Sequence, residues 1–320
     1  VVRTLAMVAA QLAVRGDTVE VIGPDRFRSI PLPGYPEIRL ALGARAALGR
    51  MVDAFAPDAV HIATEGPLGW AMRGLCRARR WPFTTAFHTR FAEYLHARTC
   101  LPPALAWSVL RRFHAAGSGT FAATHSLREE LDARGFRRLL PWGRGVDLTR
   151  FRPEPREPFA GLPRPVFLCA GRVAREKNLE AFLGLDLPGS KVVVGDGPQR
   201  AALQRRFPAA HFTGWLDNGA LARAYAGADV FVFPSRTDTF GLVLLESLAA
   251  GTPVAAYPVT GPRDIVTDPA LGALDTDLRA AALRALAEGD RARCRAHAER
   301  FSWAACAAQL HAGLIRIRPG

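Results

Sequence analysis

Short apolar runs alternate with helical stretches along this chain, and they do so twice, on either side of a proline-rich break. That alternation limits the fold more than any single motif, because strand–helix–strand order implies parallel sheets with helices packed on their faces. In the first half, VVRTLAMVAAQLAVRG (1–16) is apolar at helical spacing and stops at Gly16. DTVEVIG (17–23) then alternates like a strand. Helical ALGARAALGRMVDAF, strand-like DAVHIAT, helical LGWAMRGLCRARR, strand-like PFTTAFH, helical PALAWSVLRRFHAAG and strand-like GTFAAT follow in turn. SLREELDARG reads as a helix capped by Ser126, with Glu129 completing a capping box and Gly135 ending it. RRLLPW closes this half.

Residues 152–165, RPEPREPFAGLPRP, hold five prolines and read as the connector between two domains. A second α/β series runs from PVFLCAG through KVVVGDGP, AHFTGW and DVFVFPS to TPVAAYP, with a helix from about Asn178 and another over 240–250. FSWAACAAQLHAGLIRIR is a final amphipathic helix. At 320 residues the chain is long for one domain and comfortable for two. The expected units are a Rossmann-like domain over 1–152, a second over 163–302, and a helix over 303–320 packing back towards the first. The fold class is therefore α/β, two doubly wound domains with a hinge and a cleft, and ligands are expected at strand C-terminal ends.

Composition removes several classes. No run of 18 uncharged apolar residues is present, so no spanning helix is expected, and there is no secretory pattern. The five cysteines (76, 100, 169, 294 and 306) make no CxxC pair and no zinc spacing, so they read as reduced thiols of a cytoplasmic protein. The formal net charge is +13, and residues 1–150 carry 21 Arg, no Lys and 12 Asp or Glu. Such a surface suits an anionic ligand or membrane, or simply reflects a high-GC genome, since Lys is nearly absent and Arg and Ala are abundant. It does not suit nucleic acid, since no basic run is interleaved with aromatics.

The chemistry is expected in the loops that follow the strands of the second half. AGRVAREKN places Arg172, Arg175 and Lys177 after a strand and beside a helix start, a setting for phosphate. VGDGP is a tight turn whose Gly195 and Gly197 let a backbone approach a flat ligand. PSRTDTFGLVLLES raises a sharper question, because an apolar helix carries Asp238 just before it and Glu246 inside it. With Thr239 as cap and the helix starting at Phe240, the amides of Phe240, Gly241 and Leu242 would be free donors. At about 1.5 Å rise per residue the two acids would stand roughly 10–12 Å apart. That exceeds the roughly 5–9.5 Å of glycoside hydrolase pairs, and suits two subsites along one long ligand. A plain surface role for Glu246 remains open.

TDTFGLVLLESLAAGTPVAA resembles the signature of retaining glycosyltransferases of family 4, with the GT-B fold: an acid, seven residues, then Glu. GRVAREKN, VGDGP, GWL, ADVFVFPS and RGVDLTRF match further blocks of that family in the same order. HTRFAEYL and GPRDIV are similar to bacterial GDP-mannose-dependent α-mannosyltransferases and to sulfoquinovosyl- or glycolipid-forming relatives. The resemblance implies that Arg172 and Lys177 grip the donor diphosphate, that Asp238, where the family has Glu, holds sugar hydroxyls, and that Glu246 holds the ribose. His88 would stand near the donor sugar or the acceptor, or be a core or capping histidine. Glu65 would touch acceptor or donor, or be a simple loop acid, and Arg144 would face the cleft. The family's first strand and Gly-rich loop would stand just before VVRTL; their absence implies a chain that turns over poorly by itself.

The expected activity is transfer of a hexose, mannose or similar, from a nucleoside-diphosphate sugar to a hydroxyl, with configuration retained. No metal or other cofactor is expected, since the resemblance puts the cations Arg172 and Lys177 where a metal would otherwise meet the diphosphate. The acceptor is expected among sugars, lipids and glycolipids. RGLCRARR and LRRF would then make a peripheral contact with anionic lipid at the inner face of the cytoplasmic membrane, or be solvated helix faces. Competing readings are a nucleotide-sugar epimerase of the same architecture and a non-catalytic, truncated sugar-nucleotide binder.

Overall fold

The computed structural model describes residues 1–32, 35–88, 102–155 and 157–317. Cys100 and the HTRFAEYL block beyond His88 lie outside the described residues. Val1–Gly143 together with Ala304–Gly320 form one unit, and Arg144–Trp303 form the other. Both are Rossmann-like α/β units built on parallel sheets.

In the first unit, β1 (Ser29–Leu32) and β2 (Tyr35–Ala41) make an antiparallel hairpin. A parallel sheet follows in simple chain order, from β3 (His61–Ile62) through β4 (Thr84–Phe87) and β5 (Gly119–Ala122) to β6 (Leu139–Pro141). Every residue of β4 and β5 is buried, as expected for a strand covered on both faces. The buried hydroxyls find each other: Thr85 Oγ1 lies 3.0 Å from Thr120 Oγ1. Residues 17–23, expected as a strand, form none. Their alternate valines, Val19 and Val21, stay 38% and 51% exposed, so no buried face fixes a register. The 125–133 helix is capped by Thr124, not Ser126: Thr124 has the extended backbone a cap requires and accepts the Leu127 amide at 3.1 Å. The Trp303–Gly313 helix joins this unit from Ala304 onward, where Trp142 Nε1 donates to the Cys306 carbonyl at 3.1 Å.

The second unit holds six parallel strands: β7 (Val166–Ala170), β8 (Ser190–Val194), β9 (His211–Gly214), β10 (Val230–Phe233), β11 (Val254–Ala256) and β12 (Gly272–Leu274). Their order in the sheet is β12-β11-β10-β7-β8-β9. The chain therefore winds outward from β7 in one direction, returns to β10, and winds outward in the other. Phe167, Leu168, Phe231 and Val232 are fully buried at this centre. The unit begins at Arg144, so residues 144–152 belong to it and not to the 1–152 domain expected from the sequence. Phe151 is the physical reason: it is fully buried and meets the Tyr225 ring edge-on at 5.9 Å. The Arg295 guanidinium also donates to the carbonyls of Leu148 and Phe151. Part of the proline-rich connector is likewise packed, through buried Phe159.

Candidate functional site

In a doubly wound sheet, ligands bind beyond the carboxyl ends of the strands at the point where the strand order reverses. In the second unit that point lies between β7 and β10. β7 delivers the loop that carries Arg172 and Lys177, and β10 delivers the loop that carries Asp238. The sequence separates these groups by some sixty residues; the topology sets them side by side.

Lys177 Nζ donates to both carboxylate oxygens of Asp238, at 2.7 and 2.9 Å. Both side chains are about a quarter exposed. The chain contains only two lysines, Lys177 and Lys191. Lys191 is structural, donating to the carbonyls of Leu183 and Leu185; Lys177 stands at the switch point. Two bonds clamp the loops beneath it. Asn178 Nδ2 donates to the Pro234 carbonyl at 3.1 Å, and Ser235 Oγ to the Glu176 carbonyl at 3.5 Å. A hollow of about 230 Å³ opens here, lined by Gly171, Arg172 and Lys177 from one side and by Pro234, Ser235 and Val243 from the other. Cys169 lies in its floor, where burial pushes the thiol up to about 12 even with Lys177 nearby. The helix expected from about Asn178 is short, Leu179–Leu183. Five residues align little dipole, so the positive character of this loop comes from its side chains.

The helix after β10 starts later than the sequence suggests. It spans Leu242–Ala249 with Gly241 as its N-cap, at φ +85°, and no side-chain cap. Thr239 is not the cap. The left-handed conformation at Gly241 accounts for the shift, since a β-carbon is disfavoured there. Leu244 N–H makes the first bond, to the Gly241 carbonyl at 2.9 Å. The amides ahead of that bond are those of Leu242 and Val243, so Phe240 and Gly241 do not lead the helix as expected. Because residues 238–241 are not helical, the helix-rise separation of Asp238 and Glu246 does not apply. Phe240 is 6% exposed, with the Arg144 guanidinium 6.0 Å from its ring centroid. Arg144 is itself buried, and so is packed against the loop that carries Asp238.

Glu246 is 4% exposed, and its Oε2 accepts the Tyr225 hydroxyl at 3.2 Å. It does not line the hollow, and it is not an ordinary surface helix acid. Gly195 and Gly197 have φ of +133° and +155°. A β-carbon on Gly195 would lie 1.9 Å from the Gly171 carbonyl oxygen, and one on Gly197 would lie 2.4 Å from that of Val173. The backbone these glycines admit is therefore the chain's own. Gly171 N–H bonds the Val194 carbonyl and Val173 N–H the Asp196 carbonyl, each at 2.9 Å. The VGDGP turn thus holds the Arg172 loop in place.

In the first unit, Glu65 Oε1 accepts from His114 Nε2 at 3.0 Å, and His114 Nδ1 lies 2.8 Å from Thr85 Oγ1. His114 is 2% exposed. Glu65 thus anchors a buried imidazole. His88 follows β4 and is half-buried, its ring 5.2 Å from that of Trp142. Arg73, in the arginine-rich RGLCRARR segment, is buried and donates to the carbonyls of Arg112 and Phe113; Arg77 and Arg80 are exposed. Among the described residues, no helix is long and apolar enough to cross a membrane, and no cluster of three His, Cys, Asp or Glu could hold a metal ion.

Residues 1–150 match the family model described as Glycosyltransferase Family 4, and residues 164–288 that described as Glycosyl transferases group 1. A GDP-mannose-dependent alpha-mannosyltransferase of Mycolicibacterium smegmatis is 34% identical over 291 residues, covering 83% of this chain and 78% of that protein. The sulfoquinovosyl transferase SQD2 of Arabidopsis thaliana is 31% identical over 75% of this chain and 50% of its own length. Among solved structures, sucrose-phosphate synthase from Thermosynechococcus elongatus matches with a TM-score of 0.72 at 21% identity, over 96% of this chain and 91% of that one.

Proposed function

The chain belongs to glycosyltransferase family 4, a hexosyltransferase of the GT-B fold that draws its sugar from a nucleotide donor, and we propose that it transfers mannose from GDP-mannose to a hydroxyl with retention of configuration. The acceptor is of the lipid or glycolipid class. Similarity to GDP-mannose-dependent alpha-mannosyltransferases supports the donor, and similarity to an alpha-monoglucosyldiacylglycerol synthase of Streptococcus pneumoniae, 27% identical over 82% of this chain, supports the acceptor class. The observation that carries the reading is the Lys177–Asp238 pair across the switch point, with Lys177 and Arg172 lining one hollow.

The pair is neutral as a unit, so a diphosphate would draw on Arg172 as well as on Lys177. In this reading the donor diphosphate takes up Lys177 Nζ in exchange for part of its bond to Asp238. The released carboxylate oxygen then accepts from sugar hydroxyls. Lys177, Arg172 and the Leu242 and Val243 amides stabilise the charge that grows on the leaving phosphate, which is where fixed donors lower a barrier most. No residue is assigned as nucleophile. The incoming hydroxyl attacks from the face the diphosphate leaves, and its proton passes to the leaving phosphate oxygen, so retention follows from positioning. Glu246, buried against Tyr225 and outside the hollow, is assigned to the ribose of a nucleoside that extends past the hollow, and His88 of the first unit is assigned to the acceptor. The chemistry assigns no role to a metal. Exposed Arg77, Arg80 and Arg112 would hold the enzyme peripherally on anionic lipid at the cytoplasmic face.

The test is a donor screen by thermal shift followed by product analysis. GDP-mannose is expected to raise Tm more than UDP-glucose does, and NMR of the product should show an α-mannoside. A β-linked product would refute retention. Interconversion of sugar nucleotides without an acceptor would favour an epimerase.

A further inference from the structure

From its contact with Glu246 we infer that Tyr225 is a positioning residue for the donor: its hydroxyl fixes the Glu246 carboxylate so that the nucleotide ribose is read. The inference rests on the assignment of Glu246 to the ribose. Tyr225 is fully buried on the Asn218–Gly227 helix, and its hydroxyl donates to Glu246 Oε2 at 3.2 Å. Its ring is held edge-on by Phe231 at 5.3 Å and by Phe151 at 5.9 Å. The backbone around both residues is tied as well. Thr252 Oγ1 donates to the Tyr225 carbonyl at 2.7 Å, and Ser247 Oγ, next to Glu246, donates to the Thr252 carbonyl at 2.8 Å.

Burying a carboxylate is costly unless its oxygens are hydrogen-bonded. A hydroxyl donating from a fully buried ring restricts the orientations open to the carboxylate it bonds. A diol is recognised only by a carboxylate held in a set plane. A tyrosine hydroxyl whose work was packing alone could be removed without touching that recognition.

The experiment is titration calorimetry of GDP and 2′-deoxy-GDP, with UDP and 2′-deoxy-UDP in parallel, against the wild-type chain, Tyr225→Phe, Glu246→Gln and the double variant. Taking the ratio of the two affinities within one sample cancels any unfolded fraction. The wild type should prefer the ribonucleotide by about tenfold, the scale of a hydrogen bond to a charged group. Tyr225→Phe should lower that preference to about twofold or less. The double variant should bind no worse than Glu246→Gln alone. If Glu246→Gln loses the preference and Tyr225→Phe keeps it, the inference is overturned and the ribose assignment stands. If Glu246→Gln keeps the preference, the assignment falls and takes the inference with it.

Discussion

Replacing Lys177 by Ala separates the two jobs a bonded cation at a switch point could hold. As a structural pair, its contribution is bounded by geometry. The nitrogen lies 2.7 and 2.9 Å from the Asp238 oxygens, with the two side chains 29% and 20% exposed. Coulomb attraction at that range is about 1.5–6 kcal/mol for an effective dielectric between water and a protein surface. Desolvation and side-chain entropy remove most of it. Exposed pairs keep about 0–1 kcal/mol, and breaking a fully buried one costs about 3–5. A partly exposed pair falls between, at about 1–2 kcal/mol, or a fall in Tm of about 2–8 °C for a unit of this size. The catalytic job is larger. Losing one fixed donor to a developing anion costs about 2.7–4 kcal/mol, or 10²–10³ in kcat. Lys177→Ala should therefore stay folded at 25 °C and lose at least about a hundredfold in kcat at saturating donor, read by single-turnover product formation with calorimetry of the same sample. If kcat holds within about threefold while Tm falls, the pair is structural and the mechanism is wrong.

Three other outcomes follow from the geometry. Gly195→Ala, with φ +133° and a β-carbon 1.9 Å from the Gly171 oxygen, should cost about 3 kcal/mol or more in urea unfolding and displace the Arg172 loop; a neutral result would contradict the packing described. Glu65→Leu should lower stability by about 1–3 kcal/mol by stranding buried His114, with donor KM unchanged, and a raised KM on a stable chain would return Glu65 to substrate contact. Burial, and then Arg300, hold His297 below the usual imidazole range. The folded chain keeps it neutral while the unfolded chain takes up a proton, so stability should be lost as pH falls below about 6.5. His297→Gln should narrow the gap between urea midpoints at pH 7.5 and 5.5, and an unchanged gap would refute this.

The sequence was legible where a signal repeats and opaque where a single residue decides. The alternation of apolar runs predicted both parallel sheets, and of the four groups expected to converge, Arg172, Lys177, Asp238 and Glu246, the fold pairs Lys177 with Asp238 and lines one hollow with Lys177 and Arg172, while Glu246 lies buried outside the hollow. The helix start at Leu242 was missed because cap preference favours Thr239, whereas the backbone turn needs the only residue at hand that tolerates φ +85°. Residues 17–23 show that alternation alone does not make a strand, since a strand also needs a face to bury. Tyr225 carried one signal that was available and unused: a lone large ring in the Ala-rich helix NGALARAYAG.

The arginine content teaches a related lesson about charge. Read from the sequence, RGLCRARR is a basic patch. In the fold, Arg73 closes the end of a neighbouring helix through two carbonyls, and Arg79 pairs with Asp53. Arg138 and Arg295 likewise donate to backbone carbonyls. A guanidinium presents several donors in a fixed fork, which suits it to the carbonyls left over at helix ends. Part of the formal +13 therefore also ties backbone ends together, as buried Arg73 does. In a chain with two lysines, the more telling cation is the one placed at the point where the strand order reverses.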